Sequence, residues 1–306
     1  MPHKLSRSCR WWPAALVAAL TAAGAVQDPV TTFSYDPSKP LDLTDSIVRT
    51  DSGIVVHAIG FASPKGGRAT GLLFVPPGGG PFAGVLVGHG APGNSQSASG
   101  LALRVALHGA VALALDAPWA RRKEPPVTFT VQDSVDQVQL MVDLQRGVDL
   151  LIARRDVDPG RLGYVGRSYG GATGSLFAGI ERRLKTYVIQ VGDGGLVSHM
   201  TGPDDSAGPS SSMPRTRWNR WLAAIEPIEP IRFVGRAAPA SLFFQSARQD
   251  ELIPVADAEQ LHKAGSEPKR VMWYESTHRL NAAAINDMLQ WFHDKLGTRA
   301  PSQPDS

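Results

Sequence analysis

From residue 83 onward the chain alternates short, unbroken apolar runs with stretches of helical periodicity, and few architectures accept that order. The runs are Ala83–Val87 (AGVLV), Ala110–Leu115 (AVALAL), Arg161–Val165 (RLGYV), Thr186–Val191, Ala240–Gln245 and Arg270–Tyr274. A strand that is apolar at successive positions has both faces buried, as in a parallel sheet with helices on either side. Helical spacing fills the gaps: a helix near Ser97 that ends at Gly109, then residues 134–154, a helix from Ser168, and helices at 255–264 and 280–296. In residues 134–154, Val135, Val138, Met141, Val142, Leu144, Val148, Leu151 and Ile152 fall on one face at spacings of three and four. The predicted class is α/β, a mostly parallel central sheet with helices on both faces. Two earlier β-type runs, Gly53–Phe61 and Ala69–Val75, are set off by Gly/Pro turns and read as antiparallel additions at one edge.

The ends of the chain read differently. Lys4, Arg7 and Arg10 precede an apolar run from Ala14 to Val26, and Ala23-Gly24-Ala25 offers small residues at a cleavage site. Residues 1–25 therefore read as a secretory signal peptide, with the protein expected to be secreted or periplasmic. The run is shorter than the roughly 20 residues that span a bilayer, so no stable membrane anchor is expected. Taking its three basic residues from the 31 Lys and Arg leaves 28, equal to the 28 Asp and Glu. The net charge of +3 then vanishes and gives no reason to expect nucleic acid as a partner. The one cysteine, Cys9, leaves with the same segment, and with it any thiolate chemistry. Residues 26–52, polar and rich in Pro and Asp, read as an N-terminal arm, 53–297 as the α/β domain and 298–306 as a flexible tail.

Gly166-Arg167-Ser168-Tyr169-Gly170-Gly171 stands between the strand RLGYV and the helical GATGSLFAGI. G-x-S-x-G is a weak signal alone, but strand, sharp turn and helix is the setting in which it lifts a serine above a sheet. The bland alternative is a serine capping an ordinary helix. A serine hydroxyl needs a base. His278, in RVMWYESTHRLN, follows the last strand, and Asp250, in SLFFQSARQDELIP, follows the one before. The order Ser168, Asp250, His278 is that of a nucleophile-elbow triad. Asp250 capping the helix at Val255, with Asp257 or Asp193 as the acid, is the competing assignment. His57, His108, His199, His262 and His293 read as surface or core histidines.

This constellation resembles the α/β-hydrolase superfamily, and within it the dienelactone-hydrolase-like, acetyl-esterase and prolyl-oligopeptidase-like serine hydrolases. The resemblance rests on VGHGAPG, DPGRLGYVGRSYGG, SLFFQSARQDELIP and YESTHRLN, and it covers residues 53–297. It implies a carboxylesterase-type reaction on a small-molecule ester, without cofactor or metal. It also implies an oxyanion hole made by the backbone N–H groups of Ala91 and Tyr169, in a loop shaped by His89 and Gly90. Dienelactone hydrolases proper use cysteine where this chain has Ser168. A serine peptidase with the same triad, or a non-catalytic binding protein on this scaffold, are the alternatives.

Gly88, Gly90 and Gly93 also spell G-x-G-x-x-G, and Asp116 stands where a ribose-binding acid would. Against a dinucleotide loop, Pro92 removes an amide donor, the helix starts too late, and the signal peptide directs the chain away from nicotinamide cofactors. Asp116 then reads as a structural loop residue. Residues 193–235, with Met200, Met213, Trp218 and Trp221, sit where this superfamily inserts a cap. Trp218 and Trp221 line the substrate pocket under a lid, or pack on the sheet; Trp119 has the same two options. Arg121-Arg122-Lys123 reads as a solvated turn. Arg167 could meet an anionic substrate, a surface position being the plainer reading.

Overall fold

The computed structural model describes residues 28–201 and 209–301. The expected signal peptide lies outside the described residues. Nine strands form one sheet in the order β1-β2-β3-β5-β4-β6-β7-β8-β9. They are β1 (Thr44–Asp51), β2 (Ile54–Ala62), β3 (Arg68–Val75), β4 (Phe82–Gly88), β5 (Ala110–Leu115), β6 (Val157–Arg167), β7 (Thr186–Gln190), β8 (Ser241–Ala247) and β9 (Lys269–Tyr274). From β5 to β9 every neighbour is parallel; β1, β2 and β3 join antiparallel at one edge, β3 on β5.

Helices cover both faces. On one, α1 (Ser99–Leu107) and α9 (Ala282–Leu296) bury Val105, Met288 and Phe292 against Val85, Ala112 and Val165. On the other, α3 (Val131–Ala153), α4 (Tyr169–Ile180) and α8 (Val255–Ala264) bury Met141, Leu176 and Leu261 against Leu86, Leu113, Tyr187 and Phe244. Thr130 and Asn281 cap α3 and α9 by accepting the N–H groups of Gln132 and Ala284.

The strand order fixes where chemistry can occur. The chain leaves β4 for β5 on one side and then returns to β6 on the other. The carboxyl ends of β4 and β6 therefore border the crevice where connections diverge, the usual ligand site of an open parallel sheet. The register pairs Val87 with Val165 and Gly88 with Gly166, so the loop after β4 and the turn after β6 leave the sheet side by side.

Three expectations change. The arm contains a full strand, β1, whose residues are mostly exposed, so neither an apolar run nor a clean alternation marks it. The rest of the arm is anchored: Phe33 is buried, Tyr35 donates its hydroxyl to Asp149, and Arg146 donates to the carbonyls of Pro37 and Lys39. The tail is fixed at its start, with Thr298 buried and the Arg299 N–H donating to His108 O at 2.7 Å. The basic triplet is a solvated turn only in part: Arg122 and Lys123 are exposed, whereas Arg121 turns inward. Arg121 pairs with fully buried Asp143 at 2.8 Å, and Arg122 with Asp136 and Glu124, both from the last turn of the short helix α2 (Pro118–Arg122).

Candidate active site

The turn between β6 and α4 carries Ser168 at φ 58° and ψ −121°, a left-handed backbone for a residue with a Cβ. Such conformations cost about 1–3 kcal/mol and persist only where the surroundings impose them. Here the surroundings are two glycines and a tyrosine. A Cβ on Gly170 would lie 2.5 Å from Gly88 O and 2.9 Å from His89 O; one on Gly166 would run into Gly170 O. The buried Tyr164 hydroxyl donates to Gly170 O at 2.7 Å and clamps the first turn of α4 from below. Ser168 occupies the N-cap position, yet its side chain accepts no cap hydrogen bond. That removes the bland reading: the hydroxyl is not spent on the helix. The positive end of the α4 dipole lies beneath it.

Asp250 and His278 meet as the chain order anticipated. His278 Nδ1 lies 2.8 and 2.9 Å from the two carboxylate oxygens of Asp250, whose side chain is 2% exposed. Asp250 Oδ1 also accepts the N–H groups of Leu252 and Ile253, both at 2.9 Å. Its partners are these loop amides and not α8, which has Pro254 at its N-cap. Glu251 Oε2 accepts the His278 N–H at 3.2 Å, fixing the backbone of the same loop. With Nδ1 as donor to a carboxylate, Nε2 of His278 keeps its lone pair. Among the described residues no hydrogen bond joins that nitrogen to the Ser168 hydroxyl. Asp193 does not compete for His278: it binds the Gly195 N–H and His199 Nδ1.

His89 holds the loop after β4. Its Nε2 accepts the Ala117 N–H at 3.0 Å, so Nδ1 carries the proton and donates to Gly90 O at 2.8 Å. Burial pushes its pKa below the usual histidine value, which keeps the ring neutral. Asp116 takes the structural role expected of it, accepting the Ser95 N–H at 2.7 Å and the Thr70 hydroxyl at 2.6 Å. Gly90 approaches the serine closely: a Cβ there would stand 3.7 Å from Ser168 Cβ. Tyr169 is the first residue of α4, so its N–H has no intrahelical acceptor. Among the described residues the Ala91 N–H takes none either.

A pocket of about 170 Å³ opens beside Ser168, with Ala91 and Tyr169 in its wall. Residues 193–235 shape it, and of the two readings for Trp218 and Trp221 the packing one holds. The wall comes from α5 (Leu196–Met200), through Leu196, His199 and Met200. Trp218 and Trp221, on α7 (Arg215–Ile225) just after the single turn α6 (Pro209–Ser212), do not line it; both are buried, and Trp221 Nε1 donates to Asp133 Oδ2 at 2.8 Å. Indole area and an N–H that finds a buried carboxylate make them packing residues against α3. Trp119 is likewise buried behind the pocket, edge-on to His89 and Tyr169 at 5.5 and 5.8 Å.

Sequence reasoning passed over His199. It lines the pocket, and its hydrogen bond to Asp193 raises its pKa. Glu229 supports the same wall from behind, accepting the Val197 N–H at 3.0 Å; burial pushes its pKa up to about 8. The sequence signal for Asp193 and His199 is their place at the Gly-rich turn Gly192–Gly195, which no periodicity marks; Glu229, more than thirty residues further on, is brought there only by the fold.

Residues 136–299, more than half of the chain, match the prolyl oligopeptidase family. Comparison with curated protein sequences gave no match. Solved structures share the fold at low identity. The acetyl xylan esterase from Paenibacillus sp. R4 is 21% identical with a TM-score of 0.69, over 87% of this chain and 92% of that one. Acetyl xylan esterase 1 from Thermoanaerobacterium sp. JW/SL YS485 is 14% identical with a TM-score of 0.74, over the same shares. A cold-adapted esterase from an Arctic intertidal metagenomic library is 15% identical with a TM-score of 0.61, over 86% of this chain and 99% of that one. The open, mostly parallel sheet, the strained serine at its crevice and this sequence match lead to one conclusion: the chain belongs to the prolyl oligopeptidase family, within the α/β-hydrolase superfamily.

Proposed function

We propose that the protein is a serine hydrolase that cleaves carboxylic esters of small molecules through an acyl-enzyme on Ser168. The observation that carries the reading is a serine held at positive φ, uncapped, at the start of α4, in a chain whose His278 is held by Asp250. In the reaction Ser168 Oγ attacks the ester carbonyl and passes its proton to His278 Nε2. That transfer needs the two atoms to close to about 2.6–3.2 Å, a contact that commonly tightens only with substrate bound. Asp250 keeps the proton on Nδ1 and stabilises the imidazolium. The N–H groups of Ala91 and Tyr169 hold the tetrahedral oxyanion; one such donor is worth about 3 kcal/mol. His278 then protonates the departing alcohol. Water, deprotonated by His278, attacks the acyl carbon and frees Ser168.

The small pocket favours short acyl groups. The family match favours a second reading, a serine peptidase with the same groups acting on an amide bond. Hydrolysis of p-nitrophenyl acetate, butyrate and octanoate, beside a peptidyl p-nitroanilide and the Ser168→Ala variant, tests both. Ester turnover that declines with chain length and vanishes in the variant is expected. Anilide turnover exceeding that of the esters would make it a peptidase, and equal rates in the variant would reject the nucleophile.

A further inference from the structure

A second concavity, about 490 Å³, lies next to the pocket beside Ser168, between α1 and the start of α9. Its wall includes Arg104, Arg167 and Arg279, with Ser97, Asn281 and Asn286 as further polar groups. Neither Asp nor Glu lines it. Among the described residues none of the three guanidinium groups forms an ion pair, whereas ten other arginines do: Arg68, Arg121, Arg122, Arg146, Arg154, Arg161, Arg183, Arg232, Arg236 and Arg248. Arg167 is half-buried, and its one hydrogen bond, Nε to Gln190 Oε1 at 3.4 Å, goes to a neutral amide. Arg279 lies in the field of Glu251 without pairing with it. Burial and the like charge of Arg104 both pull the Arg167 pKa down. Arg104 and Arg167 repel one another, Arg279 adds a third guanidinium without an ion-pair partner, and an anion in the concavity relieves that repulsion.

The position of the groove gives the anion a role. Arg167 directly precedes Ser168, and Arg279 directly follows His278. His89 and Gly90 line the groove, while Ala91 of the same loop lines the pocket. The smaller pocket, which holds the Ala91 and Tyr169 amides, suits the acyl group; the larger groove is left for the other side of the scissile bond. We propose that the groove binds the alcohol portion of the substrate and that this portion carries a negatively charged group, a carboxylate or an ester of phosphate or sulfate. Arg104, Arg167 and Arg279 are then specificity residues, Asn281 and Asn286 being in place to take further hydrogen bonds. The proposal rests on the reading of Ser168 as the nucleophile.

Two isosteric acetyl esters separate charge from shape: 3-acetoxybenzoate and its neutral counterpart 3-acetoxybenzamide. The wild-type protein is expected to favour the anion by about tenfold in kcat/KM, the size of one charge-assisted contact, mainly through KM. The preference should shrink at high salt and fall toward unity in Arg104→Gln and Arg279→Gln. Equal kcat/KM for the two esters, or a preference that both variants retain, would overturn the groove. In parallel, the Ser168→Ala protein is titrated with 3-hydroxybenzoate and 3-hydroxybenzamide by calorimetry. Binding of the acid alone, lost on adding Arg104→Gln, supports the groove without any turnover; no binding overturns it. Binding without ester turnover would reject the hydrolytic reading and keep the groove. Turnover without discrimination would do the reverse.

Discussion

Replacing Asp250 by Asn isolates the part of the site that rests on one hydrogen-bond pattern. Asp250 has two jobs. Its Oδ1 accepts the N–H groups of Leu252 and Ile253, and both oxygens accept Nδ1–H of His278. The amide of Asn keeps an oxygen for the two loop amides but then turns its NH₂ toward His278. The imidazole answers by accepting at Nδ1 and carrying its proton on Nε2, where the proposed reaction needs a base. The loss expected for a wrong tautomer is about 10⁴ in kcat, or about 5.4 kcal/mol at 1.36 kcal/mol per decade. Asp250→Ala supplies the contrast: it loses the base orientation and also strands two loop amides, adding about 1–2 kcal/mol of instability that Asn spares. The assay is kcat on p-nitrophenyl acetate for wild type and both variants, with thermal melts of each. Asp250→Asn should melt close to wild type while losing about four decades of rate. A folded Asp250→Asn protein within tenfold of wild type would refute the orienting role of Asp250.

Two further outcomes follow from buried groups. Glu229, with its pKa raised to about 8, is an acid whose folded value exceeds its unfolded one, so its protonated form is favoured by folding. Its contribution is whole at low pH and is lost as pH rises through about 8, by at most about 1.4 kcal/mol per unit. Melts of wild type and Glu229→Gln at pH 5.5 and 9 should therefore show the variant gaining on wild type at the higher pH; a pH-independent gap would contradict the burial argument. Trp221→Phe removes the donor to Asp133 and leaves a cavity, for a loss of about 2–4 kcal/mol. Its melting point should fall by several degrees, at about 2–4 °C per kcal/mol for a chain of this size, and an unchanged melt would remove Trp221 from the structural account.

What could be read from the sequence was what local pattern encodes. β5 spans the predicted Ala110–Leu115 and α8 the predicted 255–264, because an unbroken apolar run and a helix opened by Pro254 each carry their own bounds. The elbow was legible for the same reason: its glycines are demanded by close approach, and Ser168 sits where strand gives way to helix. Long-range choices were not legible. β1 is an exposed edge strand, so burial leaves no pattern on it. Arg121 looks solvated until α3 brings Asp143 to it across some twenty residues. The tryptophans of α7 read equally as pocket wall or as packing because aromatic area suits either place, and the buried carboxylate of Asp133 decided for packing. His199 and the arginine groove are each assembled from segments far apart in the chain, which no window of sequence can show.

The central claim is that Ser168 is the nucleophile, and covalent capture tests it without assuming a substrate. The protein is treated with a fluorophosphonate probe, and the modified residue is located by peptide mass spectrometry in wild type, Ser168→Ala and His278→Ala. Labelling confined to Ser168, abolished in the first variant and strongly slowed in the second, is the predicted result. Labelling that persists in Ser168→Ala, or a wild-type protein that takes no label, would contradict the account.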